Sequence, residues 1–271
     1  MEGNTMLKKV EFHNELATVP KAATTKVFYG VNNDIPKAEG YTGIINPETG
    51  HLFSIVSPKY RIVQHTEILE KIEETIAAHI EYGSFQRKIL TFDNGAKLQA
   101  KYTFPDVSVS IDNSSDLIHP SIEVRNGYDG IWNFGVLFGA FRLVCSNGLV
   151  IGQKVLNFHK KHFNPAQFFL KQDMLSDSME QFSEQANIWK TWSNKVMEQA
   201  QIEHELEAME LREKEIEGIK TLVETSTGIS LIAQQAITQW IFYNILTQYI
   251  THNVTSINRQ IELEAKMRKM F

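Results

Sequence analysis

Three lysines of one predicted β-hairpin are the first residues whose types and spacing suggest a chemistry. The dipeptide Asn94-Gly95 is typical of a two-residue hairpin turn and places Lys88 opposite Lys101, with Lys97 on the same face. Directly opposed like charges destabilise a hairpin by roughly 0.2 to 1 kcal/mol. The three lysines therefore indicate a site for an anionic partner such as a nucleic-acid backbone. The alternative is a solvated edge hairpin whose lysines oppose aggregation.

A second basic cluster follows the last predicted strand. Its cations can contact phosphates, and its aromatic ring can stack on a base. Its members are Lys154, Phe158, Lys160 and Lys161. The alternative is a loop that joins the sheet to the next helix. The neighbouring His159 and His162 lack an acidic or cysteine partner to complete a ligand set, so we predict no metal site.

Charged residues are rare in the glycine-rich strands between these two clusters. Arg125, Asp129 and Arg142 can either bind an anion or form an internal ion pair, because buried charges need partners. Tyr128, in the same segment, offers a further stacking face for a base. We include all four among the candidate site residues.

Motifs for nucleotide-driven or hydrolytic catalysis are absent from the sequence. The glycines form neither GxGxxG nor GxxxxGK[ST], and no GxSxG occurs. The single cysteine, Cys145, has apolar neighbours on both sides and is predicted to be a core thiol. We therefore predict a protein that is not an enzyme and uses no cofactor.

The composition is that of a folded protein. Hydrophobic residues make up 42% of the 271 residues, with only 15 glycines and 7 prolines, which excludes disordered and collagen-like classes. One cysteine cannot form an intramolecular disulfide, and the first residues lack the apolar stretch of a secretory signal. The apolar run at 229–250 contains too many polar groups to span a membrane. We predict a cytoplasmic protein with no membrane partner.

The net charge of -5 is located in the C-terminal part of the chain. Residues 1–165 contain 17 basic and 17 acidic side chains, whereas residues 166–271 contain 10 and 15. This excludes a uniformly basic nucleic-acid binder. A neutral N-terminal part can still gather its cations on one face, which is sufficient for phosphate contacts.

The pattern of apolar residues predicts the elements that position these side chains. Residues 41–46 and 51–57 form a hairpin, and residues 66–80 have the helical spacing of an α-helix capped at Gly83. Residues 84–152 follow period two with turn dipeptides, which predicts a meander of antiparallel strands.

Long helices are predicted beyond Pro165, where glycine is absent until Gly218. The glutamate-rich stretch 199–217 is expected to be one helix that extends from the body for coiled-coil self-association; the alternative is a solvated helix packed against its own domain. Gly228 is expected to interrupt the pattern, and residues 229–256 to resume as an apolar helix. Polar residues near Asn244 form a stripe on it, suited to a contact with another helix or subunit.

The sequence thus predicts an α+β protein, with an antiparallel β meander crossed by one helix and followed by long C-terminal helices. We expect an N-terminal leader or arm over residues 1–40, a sheet domain over 41–165 and a helical region over 166–271. The helical region is expected to mediate self-association into a homo-oligomer.

Four segments resemble one known family. Residues 60–65 (YRIVQH), 126–130 (NGYDG), 141–149 (FRLVCSNGL) and 238–252 are similar to the phage/plasmid-like protein family, catalogued as a domain of unknown function, DUF932. The similarity runs in order over roughly residues 40–257. It implies a mobile-element origin in a bacterial host and does not by itself imply a biochemistry.

Two functions follow as hypotheses from this resemblance and the charges. The first is a non-enzymatic accessory protein that binds nucleic acid, with single-stranded DNA binding or annealing in recombination or replication as the preferred form. The second is a protein that binds and inhibits a host protein, such as a component of a defence system, through its acidic helices. The lysine clusters favour the first hypothesis.

Overall fold

The chain adopts an α+β fold in a computed structural model that describes residues 11–31, 34–79, 82–111, 117–142, 148–150, 172–232 and 236–271. Antiparallel strands fill the first half of the described chain, and long helices fill the second half. The predicted fold class is therefore confirmed. Among the helices of these ranges, none has both the length and the apolar character needed to cross a bilayer.

Nine strands in the described residues form two sheets. The larger sheet has the order β1-β5-β6-β7-β8-β9, and the smaller sheet has the order β2-β3-β4. The strands are β1 (Glu11–His13), β2 (Ala23–Phe28), β3 (Lys37–Ile45), β4 (Leu52–Val56), β5 (Gln86–Phe92), β6 (Lys97–Thr103), β7 (Ile118–Gly127), β8 (Gly135–Arg142) and β9 (Gly148–Val150).

Six α-helices lie in the described ranges, together with a 3-10 helix at Leu16–Thr18 and a π-helical turn at Tyr249–Asn253. The α-helices are α1 (His65–Ala77), α2 (Gln172–Ser193), α3 (Gln199–Ala208), α4 (Glu213–Ile232), α5 (Gln239–Gln248) and α6 (Ile257–Met270).

The described residues divide into two compact units. The first unit holds the described residues up to 102, together with 122–137 and 172–175. The second unit holds the described residues of 103–121 and 138–150, and those from 176 to the end. The first unit contains the residues of the predicted lysine hairpin.

The segment expected to be a leader contributes to both sheets. β1 pairs with β5, with Phe12 opposite Leu90, and β2 pairs with β3. β1 has only three residues, which is too short for an alternation of apolar and polar residues to predict it from the sequence. The predicted hairpin that follows is confirmed as β3 and β4, closed by the amide of Asn46 donating to the carbonyl of His51 at 2.8 Å.

Helix α1 lies against the larger sheet. Its buried stripe, which includes Ile68, Leu69 and Ile72, has the predicted helical spacing. Glu73 on this helix accepts a hydrogen bond from the hydroxyl of Tyr102 on β6 at 3.0 Å. The helix ends at Ala77, well before Gly83, so the predicted cap at that glycine is wrong.

The predicted turn between β5 and β6 is confirmed. The amide of Ala96 donates to the carbonyl of Asp93 at 3.2 Å, and Asn94 has a positive φ of 57°. Gly95 has a φ of +90°, and a Cβ there would lie 2.5 Å from Cγ of Pro20. Glycine is required at this position both by its dihedral angle and by the close approach of Pro20.

The glutamate-rich segment of the second unit is not a single projecting helix. Glu210 has a positive φ of 47°, and it separates α3 from α4. Ile202 and Leu206 of α3 are buried, so this helix is packed against other residues of the chain and is not a solvated projection. Gly228 lies inside α4, so the predicted interruption at that residue is also wrong.

Aromatic side chains form the core of the second unit. Trp189 is fully buried, and its ring centroid lies 5.5 Å from that of Trp240 and 6.4 Å from that of Tyr243. The polar stripe on α5 bonds to its own helix, because Asn244 donates through Nδ2 to the carbonyl of Trp240 at 2.7 Å. Its contact with another helix or subunit stays a prediction.

Candidate nucleic-acid interface

The larger sheet has one face against α1 and one face turned away from it. On β5, Arg87 pairs with Glu73 of α1 at 2.6 Å, so the alternate residues Lys88 and Leu90 point to the opposite face. On β6, Tyr102 contacts α1, so Lys101 points away from the helix. The two lysines predicted to face each other therefore share the same side of neighbouring strands.

Strand β7 adds an acid and a cation to this side. Asn126 bonds to His65 at the start of α1, so the alternate residues Glu123 and Arg125 point to the opposite face. On β1, Phe12 lies there too, since it pairs with Leu90. We name this surface the basic face. It consists of Phe12, Lys88, Leu90, Gln99, Lys101, Glu123 and Arg125.

The edge of the basic face presents an exposed cation beside an exposed aromatic ring. Nζ of Lys88 lies 5.7 Å from the ring centroid of Phe12, and Phe12 is 70% exposed. This spacing is within the range of a cation–π contact. A phosphate could bind the ammonium group while a neighbouring base stacks on the ring, which is the combination that single-stranded nucleic acids require.

The middle of the basic face is an ionic cluster. Arg125 forms an ion pair with Glu123, and the charge of Lys101 also acts on that carboxylate. Burial raises the pKa of Glu123, but the charges of Arg125 and Lys101 outweigh burial and lower the pKa below its usual value. Glu123 is therefore ionised and pairs with Arg125, whose side chain is only 9% exposed, so the remaining positive charge of this face comes from Lys88 and Lys101.

Lys97 belongs to the same side of the sheet but is not available to an anionic ligand. Its ammonium group lies 2.8 Å from Oδ2 of Asp93 and 3.3 Å from Oδ2 of Asp129, and the side chain is 5% exposed. It also lies 5.5 Å from the ring centroid of Trp132. Burial lowers the pKa of Lys97, but the hydrogen bond to Asp93 and the charge of Asp129 outweigh it and raise the pKa.

Asp129 therefore has the ion-pair role that was one of its two predicted roles. Its Oδ1 atom also accepts hydrogen bonds from the amides of Ile131 and Trp132, each at 2.9 Å. These bonds hold the turn that places Trp132 over Lys97. This arrangement explains why a lysine on the expected face is buried.

Tyr128 cannot serve as a stacking platform for a base, because the whole residue is buried. Its ring lies 3.8 Å from that of His65 and 5.5 Å from that of Phe53, centroid to centroid. Its hydroxyl accepts a hydrogen bond from the amide of His65 at 2.8 Å. The ring faces are thus occupied by other side chains of the same unit.

His65 is a structural residue that sequence reasoning missed. Its Nε2 atom lies 3.1 Å from the carbonyl oxygen of Gly95, and its Nδ1 atom lies 2.9 Å from Nδ2 of Asn126. A carbonyl can only accept, so Nε2 carries the proton and Nδ1 accepts from the amide of Asn126. Burial lowers the pKa of His65 to about 3, so the ring is neutral at pH 7. It joins the start of α1 to the hairpin turn and to β7.

The remaining predicted residues have no described side chain. The backbone of Arg142 lies at the end of β8, but its side chain is outside the described residues. The entire second basic cluster, backbone and side chains, lies outside the described residues: Lys154, Phe158, Lys160 and Lys161. Within the part of the chain that the structure describes, no three His, Cys, Asp or Glu side chains are grouped to hold a metal ion.

Comparison with known proteins identifies a family for this chain but no individual relative. No curated protein and no solved structure matches the chain. The family model described as "Domain of unknown function (DUF932)" matches residues 52–270, which include β5, β6 and β7 of the basic face. Since this match covers most of the 271 residues, the chain belongs to the DUF932 family.

Proposed function

We propose that this protein binds nucleic acid, with single-stranded DNA as the preferred form, through the basic face. The exposed pair of Lys88 and Phe12 is the observation on which this proposal rests, because it sets a cation beside a free aromatic ring. Lys101 extends the positive charge to the neighbouring strand, whereas Arg125 is buried and paired with Glu123 and is not expected to contact the ligand. The proposed role is binding and not catalysis.

A single strand fits this surface better than a duplex does. An exposed aromatic ring can stack on an unpaired base of any sequence, whereas the bases of a duplex are already stacked on one another. Few cations are available, so the expected affinity is moderate and sensitive to salt. In a mobile-element protein such binding would serve annealing during recombination or replication, which is the context that the phage/plasmid-like resemblance suggests.

Fluorescence anisotropy with labelled single-stranded and double-stranded oligonucleotides, across a salt series, tests this proposal. Replacing Lys88 and Lys101 by Gln should weaken single-strand binding by about tenfold and reduce the slope of log K against log salt by about 1.4, or about 0.7 for each lost phosphate contact. Circular dichroism checks that the variant is folded.

The matched control is the pair of exposed lysines Lys190 and Lys220 in the second unit, also replaced by Gln. This control changes the net charge equally but leaves the basic face intact, so binding should be preserved. An equal loss of single-strand affinity in both variants would mean that binding depends on the net charge of the protein and not on the basic face. No binding by the unaltered protein at low salt would overturn the proposal.

A second candidate function is the binding and inhibition of a host protein. Exposed carboxylates on α3 and α4 favour it because they place negative charge on both helices for a basic partner, among them Glu203, Glu207, Glu213 and Glu217. Capture of a stoichiometric host protein from a nuclease-treated lysate, lost when these glutamates are replaced by Gln, would favour this function over DNA binding.

A further inference from the structure

The smaller sheet has an exposed apolar face. On β3, Ile44 is fully buried, and it pairs with Ser54, whose hydroxyl donates to the carbonyl of Tyr128 at 2.7 Å. That side of the sheet is therefore the inner one. The alternate residues of β3, Tyr41 and Gly43, point outward.

Side chains from both neighbouring strands close over Gly43. The register places it between Thr25 of β2 and Ile55 of β4. A Cβ on Gly43 would lie 2.8 Å from Cγ2 of Thr25 and 3.3 Å from Cδ1 of Leu52. The outer surface is thus continuous across the three strands, and Tyr41, Leu52 and Ile55 are 59%, 48% and 50% exposed.

Exposed apolar side chains also occur in the described part of the β2–β3 connection, at Tyr29, Val31 and Ile35. The amide of Tyr29 donates to the carbonyl of Pro36 at 3.1 Å, and Val31 and Asp34 exchange two hydrogen bonds of 2.9 Å. Of the twelve large apolar side chains exposed in the described residues, seven lie between residues 28 and 55. Such a concentration marks an interaction site, because monomeric proteins rarely expose large contiguous apolar patches.

The charges around this surface indicate which partner it fits. Residues 23–56 contain Lys26 and Lys37 against Asp34, Glu39 and Glu48. Lys37 and Glu39 pair with each other at 3.1 Å. This segment has no net positive charge to attract the phosphates of a nucleic acid. A second copy would bring an equal apolar area and both signs of charge, so it would meet little repulsion.

We propose that this outer face, comprising Tyr41, Gly43, Leu52 and Ile55 together with the exposed Tyr29, Val31 and Ile35, binds the same face of a second copy of this chain. A two-fold axis through the sheet makes the contact self-complementary. At ~3.3 Å per residue and ~4.8 Å between strands, the 6, 9 and 5 residues of the three strands cover ~320 Å². The β2–β3 connection enlarges this area toward the ~800 Å² per partner of a standard interface, so the dimer is expected to be reversible.

Sedimentation velocity of the full chain over a wide concentration range, after nuclease treatment, tests the proposal. The unaltered protein should show a concentration-dependent monomer–dimer equilibrium. The variant in which both Leu52 and Ile55 are replaced by Glu should remain monomeric at every concentration, because four carboxylates would face each other across the axis. A milder variant, Tyr41→Thr, keeps a good strand residue and should raise the dissociation constant about tenfold.

The controls are Ile131→Glu and Ile188→Glu, which add one carboxylate at exposed apolar positions elsewhere, and both should still dimerise. A monomer at all concentrations would overturn the proposal. So would a dimer that Tyr41→Thr leaves intact, or one that only Ile188→Glu on α2 dissociates. Because nucleic acid is absent, these results are independent of whether the basic face binds DNA.

Discussion

The two sheets of the first unit expose faces of opposite character. The basic face of the larger sheet carries Lys88 and Lys101 on neighbouring strands, with Lys88 beside one exposed ring, whereas the outer face of the smaller sheet is apolar and nearly neutral. The net charge of -5 for the whole chain predicts neither surface. The two proposals therefore depend on which strand face a residue occupies, and each face is expected to have its own partner.

Two lysines of one hairpin sharpen the comparison, because Lys97 stabilises the fold whereas Lys88 is free to act on a ligand. Removing the partner of the buried lysine should have the largest effect. Asp129→Ala is expected to lower the free energy of unfolding by about 3 kcal/mol, since it leaves a buried cation with one carboxylate and deprives two amides of their acceptor. Urea denaturation measures this loss.

The control for that experiment is Asp129→Asn, which keeps an oxygen for the amides of Ile131 and Trp132 and should lose less stability. Lys88→Ala, on the exposed edge, should change the free energy of unfolding by less than about 0.5 kcal/mol. Equal losses from Asp129→Ala and Lys88→Ala would contradict the distinction between the two lysines.

The hairpin shows how far the sequence predicts this site and where it fails. The turn at Asn94-Gly95 is a local signal, and strand alternation correctly sets Lys88 and Lys101 on one side of the sheet. Alternation also sets Lys97 there, yet its burial depends on Asp129 and Trp132, which come from a distant turn. No local pattern contains that information.

The same limit applies to Tyr128 and to the N-terminal strands. A tyrosine in a glycine-rich turn segment is predicted to be exposed. The ring of Tyr128 is instead enclosed by His65 and Phe53 from other elements. β1 is defined only by its pairing with β5. In the second unit, the helical composition was predictable. The break at Glu210 was not, because a positive φ at a glutamate has no sequence signature.

A pH experiment isolates the buried contact behind the basic face. The pKa of His65 falls from 6.5 to about 3 on folding, so the unfolded chain binds more protons between these values. Stability is therefore complete above about pH 6.5 and falls as the pH decreases. The loss should be about 1.4 kcal/mol per pH unit, or about 2 kcal/mol between pH 6.5 and pH 5.

Urea denaturation at several pH values measures this slope. The His65→Gln variant should be less stable at pH 7 but should have a flatter dependence in the same window, since its side chain does not titrate. His13, whose pKa is also lowered mainly by burial, remains in both proteins and cancels in the comparison. Parallel slopes for the two proteins would contradict a neutral, buried His65.

The smallest expected effect separates stacking from charge on the basic face. Phe12→Ala removes an exposed ring at the edge, so it should weaken single-strand binding by about 1 kcal/mol and change the free energy of unfolding by less than about 0.5 kcal/mol. The salt slope should stay unchanged, because no phosphate contact is lost. Phe12→Tyr retains an aromatic face and should bind normally. If Phe12→Ala instead reduced the salt slope as the lysine variant does, the ring would act by positioning Lys88, and the base-stacking part of the proposed function would be lost.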